Sequence, residues 1–274
     1  MSIATLDFES KYLNGNTEIS VILPEMDRTH DPLDFYKVGV KYKVLWLLHG
    51  TFGDHSDWLR KSNIERYACN HDLVVVMPNA LNSDYTNWDT SMMGYSMYDY
   101  FIRELMPLVY SWLPVSVHRE DNFIAGLSMG GTGALKYALL NPDKFAAAAM
   151  LSAGLFNPHE RFTNPILPGM DSFPGMRKRV KNQQLNAGGP EAYINSPDNL
   201  WNLVAKVAKQ PDLPRLYFTS GDKDFLYESY LKFKQHTQKL GLPAVFEEVP
   251  GFEHEWNFWD LAIQRALVFF GFSD

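Results

Sequence analysis

Residues 121–141 read DNFIAGLSMGGTGALKYALLN, and this stretch decides how the rest of the chain is organised. It opens on an apolar run, FIAG, of the kind a buried parallel strand shows. It continues, after a few residues, with TGALKYALLN at helical spacing. Between the two, Gly126-Leu127-Ser128-Met129-Gly130 matches G-x-S-x-G in the strand, turn and helix setting that the pattern requires. A sharp turn forces the serine backbone into a strained conformation, so small residues must flank it two positions to either side, and Gly126 and Gly130 do so. Ser128 Oγ is then expected above the sheet edge, beside the positive end of the next helix dipole. The plainer alternative is a tight turn in which the serine only caps the helix.

Working outward, similar apolar runs recur at 17–23, 43–48, 72–77, 145–151, 215–220 and 244–249. Plausible helices lie between them at 57–69, 97–112, 129–140, 227–240 and 256–270, with Asp57 as a candidate N-cap and Pro142 and Gly241 just past helix ends. This alternation predicts an α/β fold with a mostly parallel central sheet flanked by helices. The least regular region is 154–200, where Pro158, Pro165, Pro168, Pro174, Pro190 and Pro197 break any long element. It reads as an insertion over the sheet, with short helices near 176–186 and 198–209. The expected organisation is one domain over 1–274 carrying a cap-like insertion at roughly 155–210.

Composition narrows the function classes. Lys plus Arg number 25 against 32 Asp plus Glu, a formal charge of −7, which disfavours nucleic acid or an anionic membrane as the main partner. With 46% hydrophobic and 14% aromatic residues the chain can bury a sizeable core, so general disorder is excluded. The lone Cys69 rules out an intrachain disulfide and a cysteine-rich metal site. No run approaches the ~18 apolar residues of a membrane span, and MSIATLDFES does not read as a signal peptide. A cytoplasmic protein is the expectation.

A serine hydroxyl is a poor nucleophile unless a base takes its proton and a third group orients that base. Downstream, RLYFTS runs into Gly221-Asp222-Lys223-Asp224, and AVFEEV runs into Pro250-Gly251-Phe252-Glu253-His254-Glu255. Both loops follow carboxyl ends of late strands, where open α/β sheets build their sites. His254 is the candidate base. Asp224 is preferred as the acid over Asp222 and Glu253, because the G-x-x-D offset leaves room for a turn before the carboxylate meets the imidazole. Asp222 reads as a turn former. The developing oxyanion needs two donors: the N–H of Met129, after the nucleophile, and one from His49-Gly50-Thr51-Phe52-Gly53, with Thr51 first choice and Phe52 second. His49 reads as a structural histidine, and His49, Asp54 and His55 carry no recognised metal-ligand spacing, so no metal is expected.

The blocks WLLHGTFGDHSDWLR, TNWDTSMMGYSMYDYFIRELMPLV, FIAGLSMGGTGALKYALLNPDKF, SGDKDFLYE and GFEHEW together resemble the esterase D-like branch of the α/β-hydrolases, above all the bacterial tributyrin esterases and the feruloyl and cinnamoyl esterases. S-formylglutathione hydrolases and mycolyltransferases are relatives in that branch. The resemblance covers nearly the whole chain in the right order and is weakest over 155–200. It implies an α/β-hydrolase fold with Ser128 as nucleophile, Asp224 as acid, His254 as base, and Thr51 and Met129 as oxyanion donors. It also implies cofactor-free hydrolysis of short acyl or aromatic esters through an acyl-enzyme, with a small-molecule ester as partner and a homo-oligomer as a candidate state. An S-formylglutathione-type thioesterase or an acyltransferase is the alternative. A non-catalytic binding module is disfavoured because all three triad positions are filled. The glycine run of HGGG-type lipases is missing around Thr51-Phe52. Trp88 and Phe52 are the pocket candidates, core packing being the rival role for Trp88, whereas Trp256 and Trp259 read as packing for the last helix.

Overall fold

Residues 2–88, 94–163 and 175–272 are described by a computed structural model of the chain. In chain order it forms β1 (Ser2–Ser10), β2 (Gly15–Leu23), α1 (Pro32–Phe35), β3 (Val44–Leu48), α2 (Asp57–Lys61), α3 (Ile64–Cys69), β4 (Val74–Pro78) and α4 (Met97–Asp99). A π-helical turn (Tyr100–Leu105) leads into α5 (Met106–Trp112), followed by β5 (Asn122–Leu127), α6 (Met129–Leu140) and β6 (Ala147–Leu151). The connection to β7 (Arg215–Gly221) carries α7 (Pro158–Thr163), α8 (Met176–Asn186), α9 (Pro190–Asn195) and α10 (Leu200–Val207). The chain ends with α11 (Tyr227–Leu240), β8 (Ala244–Val249) and α12 (Trp256–Phe270).

The strands pair in the order β1-β2-β4-β3-β5-β6-β7-β8. β1/β2 and β2/β4 are antiparallel, and every pair from β4/β3 to β7/β8 is parallel. Alternate residues of the central strands feed two separate cores. Trp46, Leu48, Ile124, Ala148 and Phe218 pack on one face, and Leu45, Leu47, Phe123, Ala149 and Tyr217 on the other. Burial on both faces is why these strands read as unbroken apolar runs, and each fully buried Val, Leu or Phe contributes about 1.5–3 kcal/mol of transfer free energy. Among the described residues no helix is long and apolar enough to cross a membrane.

The structure departs from the sequence reading in four places. An eighth strand, β1, occupies Ser2–Ser10 at the sheet edge. Only one of its faces is covered, with Ala4, Leu6 and Phe8 turned in and Thr5, Asp7 and Glu9 turned out, so it alternates where a continuous run was sought. The helix expected at 57–69 is two helices, because Ser62 adopts an extended conformation (φ −139°, ψ 175°). Asp57 is the first residue of α2 and not its N-cap; its carboxylate accepts from Lys61 Nζ at 2.9 Å, and Ser56 holds the cap position. The helix expected at 97–112 contains the π-helical turn, which ends two residues before Pro107. Proline brings no N–H, and its ring crowds the carbonyl four residues back, so the wider turn relieves both. Pro165, Pro168 and Pro174, and residues 89–93 of the aromatic block, lie outside the described residues.

Candidate active site

β5 ends at Leu127 and α6 begins at Met129, so the chain reverses on one residue, Ser128 (φ 53°, ψ −114°). That positive φ is costly for a residue with a Cβ, and packing enforces it. A Cβ on Gly126 would sit 2.4 Å from the Gly130 carbonyl, and one on Gly130 would sit 2.5 Å from the Leu48 carbonyl oxygen. Both obstacles are backbone and cannot swing away, so glycine is required at each position. Ser128 N–H donates to Leu151 O on the neighbouring strand at 2.8 Å, and Ser128 O accepts from Thr132 N–H, locking the turn on both sides.

The loops after β7 and β8 bring the other two residues to this serine. His254 Nε2 lies 3.1 Å from Ser128 Oγ, and His254 Nδ1 lies 2.8 Å from Asp224 Oδ2. A carboxylate oxygen can only accept, so Nδ1 carries the proton and the Nε2 lone pair faces the serine hydroxyl. The Asp224 side chain is fully buried, and its second oxygen accepts from Leu226 N–H at 2.8 Å. The imidazole is packed by Phe225, with ring centroids 4.6 Å apart, and edge-on by Trp259 at 4.9 Å. Asp222 and Glu253, the competing acids, are exposed, and Asp222 accepts from Gly251 N–H at 2.7 Å.

The loop after β3 closes the other side. His49 is buried; its Nδ1–H donates to Gly50 O at 2.7 Å and its Nε2 accepts from Ala80 N–H at 2.9 Å. Burial holds its pKa below the ordinary histidine value. Gly50 O also accepts from Gly53 N–H at 3.2 Å. Phe52 N–H donates to Asn82 Oδ1 at 2.8 Å, and Phe52 stands 64% exposed at the rim. His55 turns away to Ser20 Oγ at 2.7 Å, and Asp54 accepts from Ser56. Among the described residues no three His, Cys, Asp or Glu side chains are gathered as a metal ion would require.

Ser128 and His254 open onto a cavity of ≈ 310 Å³. One side is apolar, with Leu127, Met129, Leu155, Phe156, Phe225 and Trp259. The other is polar, with Asp84, Thr86, Lys136, Arg179, Gln183 and Asp198. Trp88 borders it with only 2% of its surface exposed and donates its indole N–H to Ser83 O at 2.6 Å, so the residue is packed and lies at the cavity edge at once. Trp256 and Trp259 pack at α12 as the sequence suggested, and they border the cavity as well. The sequence reading missed the polar side entirely. Its pairs join residues far apart in the chain: Arg179 grips Asp84 through Nε (3.0 Å) and Nη2, and Lys136 Nζ pairs with Asp198. Phe225, next to Asp224, is a missed lining residue that had a local signal.

A strained serine between a parallel strand and a helix, aligned with a histidine and a buried aspartate on later loops, defines a serine hydrolase of the α/β-hydrolase fold. The chain belongs to the Putative esterase family, whose model matches residues 10–270, and it is a serine ester hydrolase. It is 28% identical over 275 residues to an acetyl esterase of Caldicellulosiruptor saccharolyticus, covering 97% of each chain. Among solved structures it is similar to the fluorophosphonate-binding serine hydrolase FphF of Staphylococcus aureus, at 31% identity and TM-score 0.81 over 99% of both chains. It is also similar to the S-formylglutathione hydrolase FrmB of the same organism, at 33% identity and TM-score 0.79, covering 98% of this chain and 99% of that one.

Proposed function

We propose that the protein is a carboxylesterase for short acyl or aromatic esters, with Ser128 as nucleophile, His254 as general base and acid, and Asp224 as the residue that orients and stabilises the imidazolium. Ser128 Oγ attacks the ester carbonyl carbon as its proton passes to His254 Nε2. The tetrahedral intermediate collapses, the leaving alcohol takes the proton from His254, and an acyl-serine remains. Water then gives a proton to the same nitrogen as it attacks the acyl-serine, and when the second tetrahedral intermediate collapses His254 returns that proton to the departing Ser128 Oγ, freeing the carboxylic acid and restoring the enzyme.

The oxyanion donors are the N–H groups of Met129 and Thr51. Met129 is the first residue of α6, so its N–H has no intrahelical acceptor. The Thr51 assignment follows from the Gly50–Thr51 peptide. A trans peptide points its N–H opposite to its C=O, and Gly50 O is drawn away by His49 and Gly53. A Cβ on Gly50 would lie 3.5 Å from Ser128 Cβ, so this peptide stands against the nucleophile. Phe52 N–H is spent on Asn82.

The observation that carries the proposal is the hydrogen-bonded line from Ser128 through His254 to Asp224, opening on a cavity of ≈ 310 Å³. That volume lies at the small end of ligand pockets, which favours acetyl-sized to single-ring acyl groups against the apolar wall. The polar wall favours a second reading, a thioester with a polar leaving group, in line with the similarity to FrmB. Ser128→Ala tests the chemistry: turnover of an aryl acetate should fall by about 10⁶ with an unchanged thermal midpoint, and turnover near wild type would refute the assignment. Ranking acetyl, butyryl and cinnamoyl esters against S-formylglutathione by kcat/KM separates the two readings.

A further inference from the structure

The peptide that carries Thr51 N–H is held from two directions. His49 holds its carbonyl from the sheet side through Nδ1–H. Arg179, the fourth residue of α8, donates through Nη1 to Thr51 Oγ1 at 2.9 Å. The same guanidinium grips both oxygens of Asp84, in the loop after β4, and Gln183, one turn further along α8, donates to Asp84 as well. Asp84 and Tyr85 both have positive φ (55° and 53°), and their carbonyls accept from Lys136 Nζ on the nucleophile helix at 3.2 and 3.3 Å. A continuous set of contacts therefore runs from Thr51 through Arg179 and Asp84 to α6.

We propose that Arg179 is a positioning residue for the oxyanion hole: helix α8, docked through Arg179, fixes the Thr51 side chain and thereby the direction of Thr51 N–H. The inference rests on the assignment of Thr51 as an oxyanion donor. Arg179 itself is not an anion receptor for substrate, because its charge is neutralised by Asp84 and its fork is committed to Asp84 and Thr51. An oxyanion hole works by preorganisation, so its donors must be held before charge develops. Threonine suits this position because its hydroxyl gives the guanidinium a handle on the same residue as the donating amide. The consequence is that the β6–β7 connection, which forms a wall of the cavity, also tunes the chemical step.

The test compares wild type with Arg179→Ala, Thr51→Val and the double variant on an aryl acetate, and measures the affinity of an arylboronic acid, whose tetrahedral serine adduct places an oxygen at the oxyanion position. Thr51→Val keeps the backbone N–H and the Arg179–Asp84 pair but removes the acceptor, so it decides the matter even if Arg179→Ala disturbs α8. Each single change should lower kcat about tenfold, because small misplacement of a catalytic group costs up to about 10², with KM nearly unchanged. Boronate affinity should fall in parallel. The double variant should be no worse than the poorer single one, since both cut the same link. The proposal is overturned if Thr51→Val keeps wild-type kcat, if the loss is in KM alone, or if the two losses multiply. Ser128→Ala run alongside separates the two failures. An active Ser128→Ala would remove the underlying site assignment, whereas an inactive one beside a fully active Thr51→Val would remove only the role of Arg179.

Discussion

Two sides of the cavity are built by different kinds of chain. The side with Ser128, Asp224 and His254 grows from the carboxyl ends of β5, β7 and β8, near neighbours in the parallel part of the sheet. The facing side is assembled from the loop after β4, Lys136 of α6 and, among the described residues, the helical connection between β6 and β7, and its parts are joined by side-chain ion pairs. The difference is one of stiffness. A strand end is fixed by backbone ladders and a packed core, so three residues can be held at hydrogen-bond distance without other support. A wall tied by a few charged pairs can change its lining while the sheet stays as it is, which suits it to substrate selection.

If this division holds, Asp224→Asn gives the largest effect that leaves the architecture alone. An amide can donate to His254 Nδ1 and so favour the wrong tautomer, and kcat should fall by about 10⁴ while the thermal midpoint and cavity lining persist. A fall of less than about tenfold would mean that the buried carboxylate serves packing and not the imidazole.

Lys136→Met probes the facing side. The lysine side chain is 5% exposed and pairs with Asp198, while also donating to the carbonyls of Asp84 and Tyr85. Removing it leaves Asp198 without its cation, and urea unfolding should show a loss of about 3 kcal/mol, with Ser128 still reactive in the folded fraction. A stability within about 0.5 kcal/mol of wild type, the usual range for surface changes, would show that the wall does not depend on this pair.

The smallest effect concerns His49, where the two sides meet. Burial lowers its pKa in the folded protein, so the unfolded chain takes up the proton first as the pH drops. Its contribution to stability is full above the unfolded value of about 6.5 and is lost as the pH falls toward the folded value. The thermal midpoint of wild type should therefore decline between pH 7 and pH 5 more steeply than that of His49→Asn. Parallel curves would contradict the burial argument.

The same division explains what the amino-acid sequence revealed. The elbow at 126–130 is local: its glycines, its strand and its helix lie within some twenty residues, so steric reasoning identifies Ser128 directly. Asp224 and His254 were legible because each lies in the loop that follows a strand at the correct end of the sheet. The edge strand β1 was not, since a half-covered strand alternates and its apolar residues are few. The polar wall left no trace either. Arg179 and Asp84 are 95 residues apart, and Lys136 and Asp198 are 62 apart. Neither pair is implied by periodicity, spacing or capping, because only the folded crossover brings them together. The helix break at Ser62 and the π-helical turn before Pro107 belong to a third kind, local signals that strong flanking helical patterns outweighed.

The central claim is that Ser128 is an activated nucleophile. The most direct test is to incubate the protein with a fluorophosphonate, weigh the intact chain and map the labelled peptide. The account predicts one adduct per chain, on Ser128, prevented by a short aryl ester and absent from Ser128→Ala. A folded protein that takes up no label, or carries it on another residue, would contradict it.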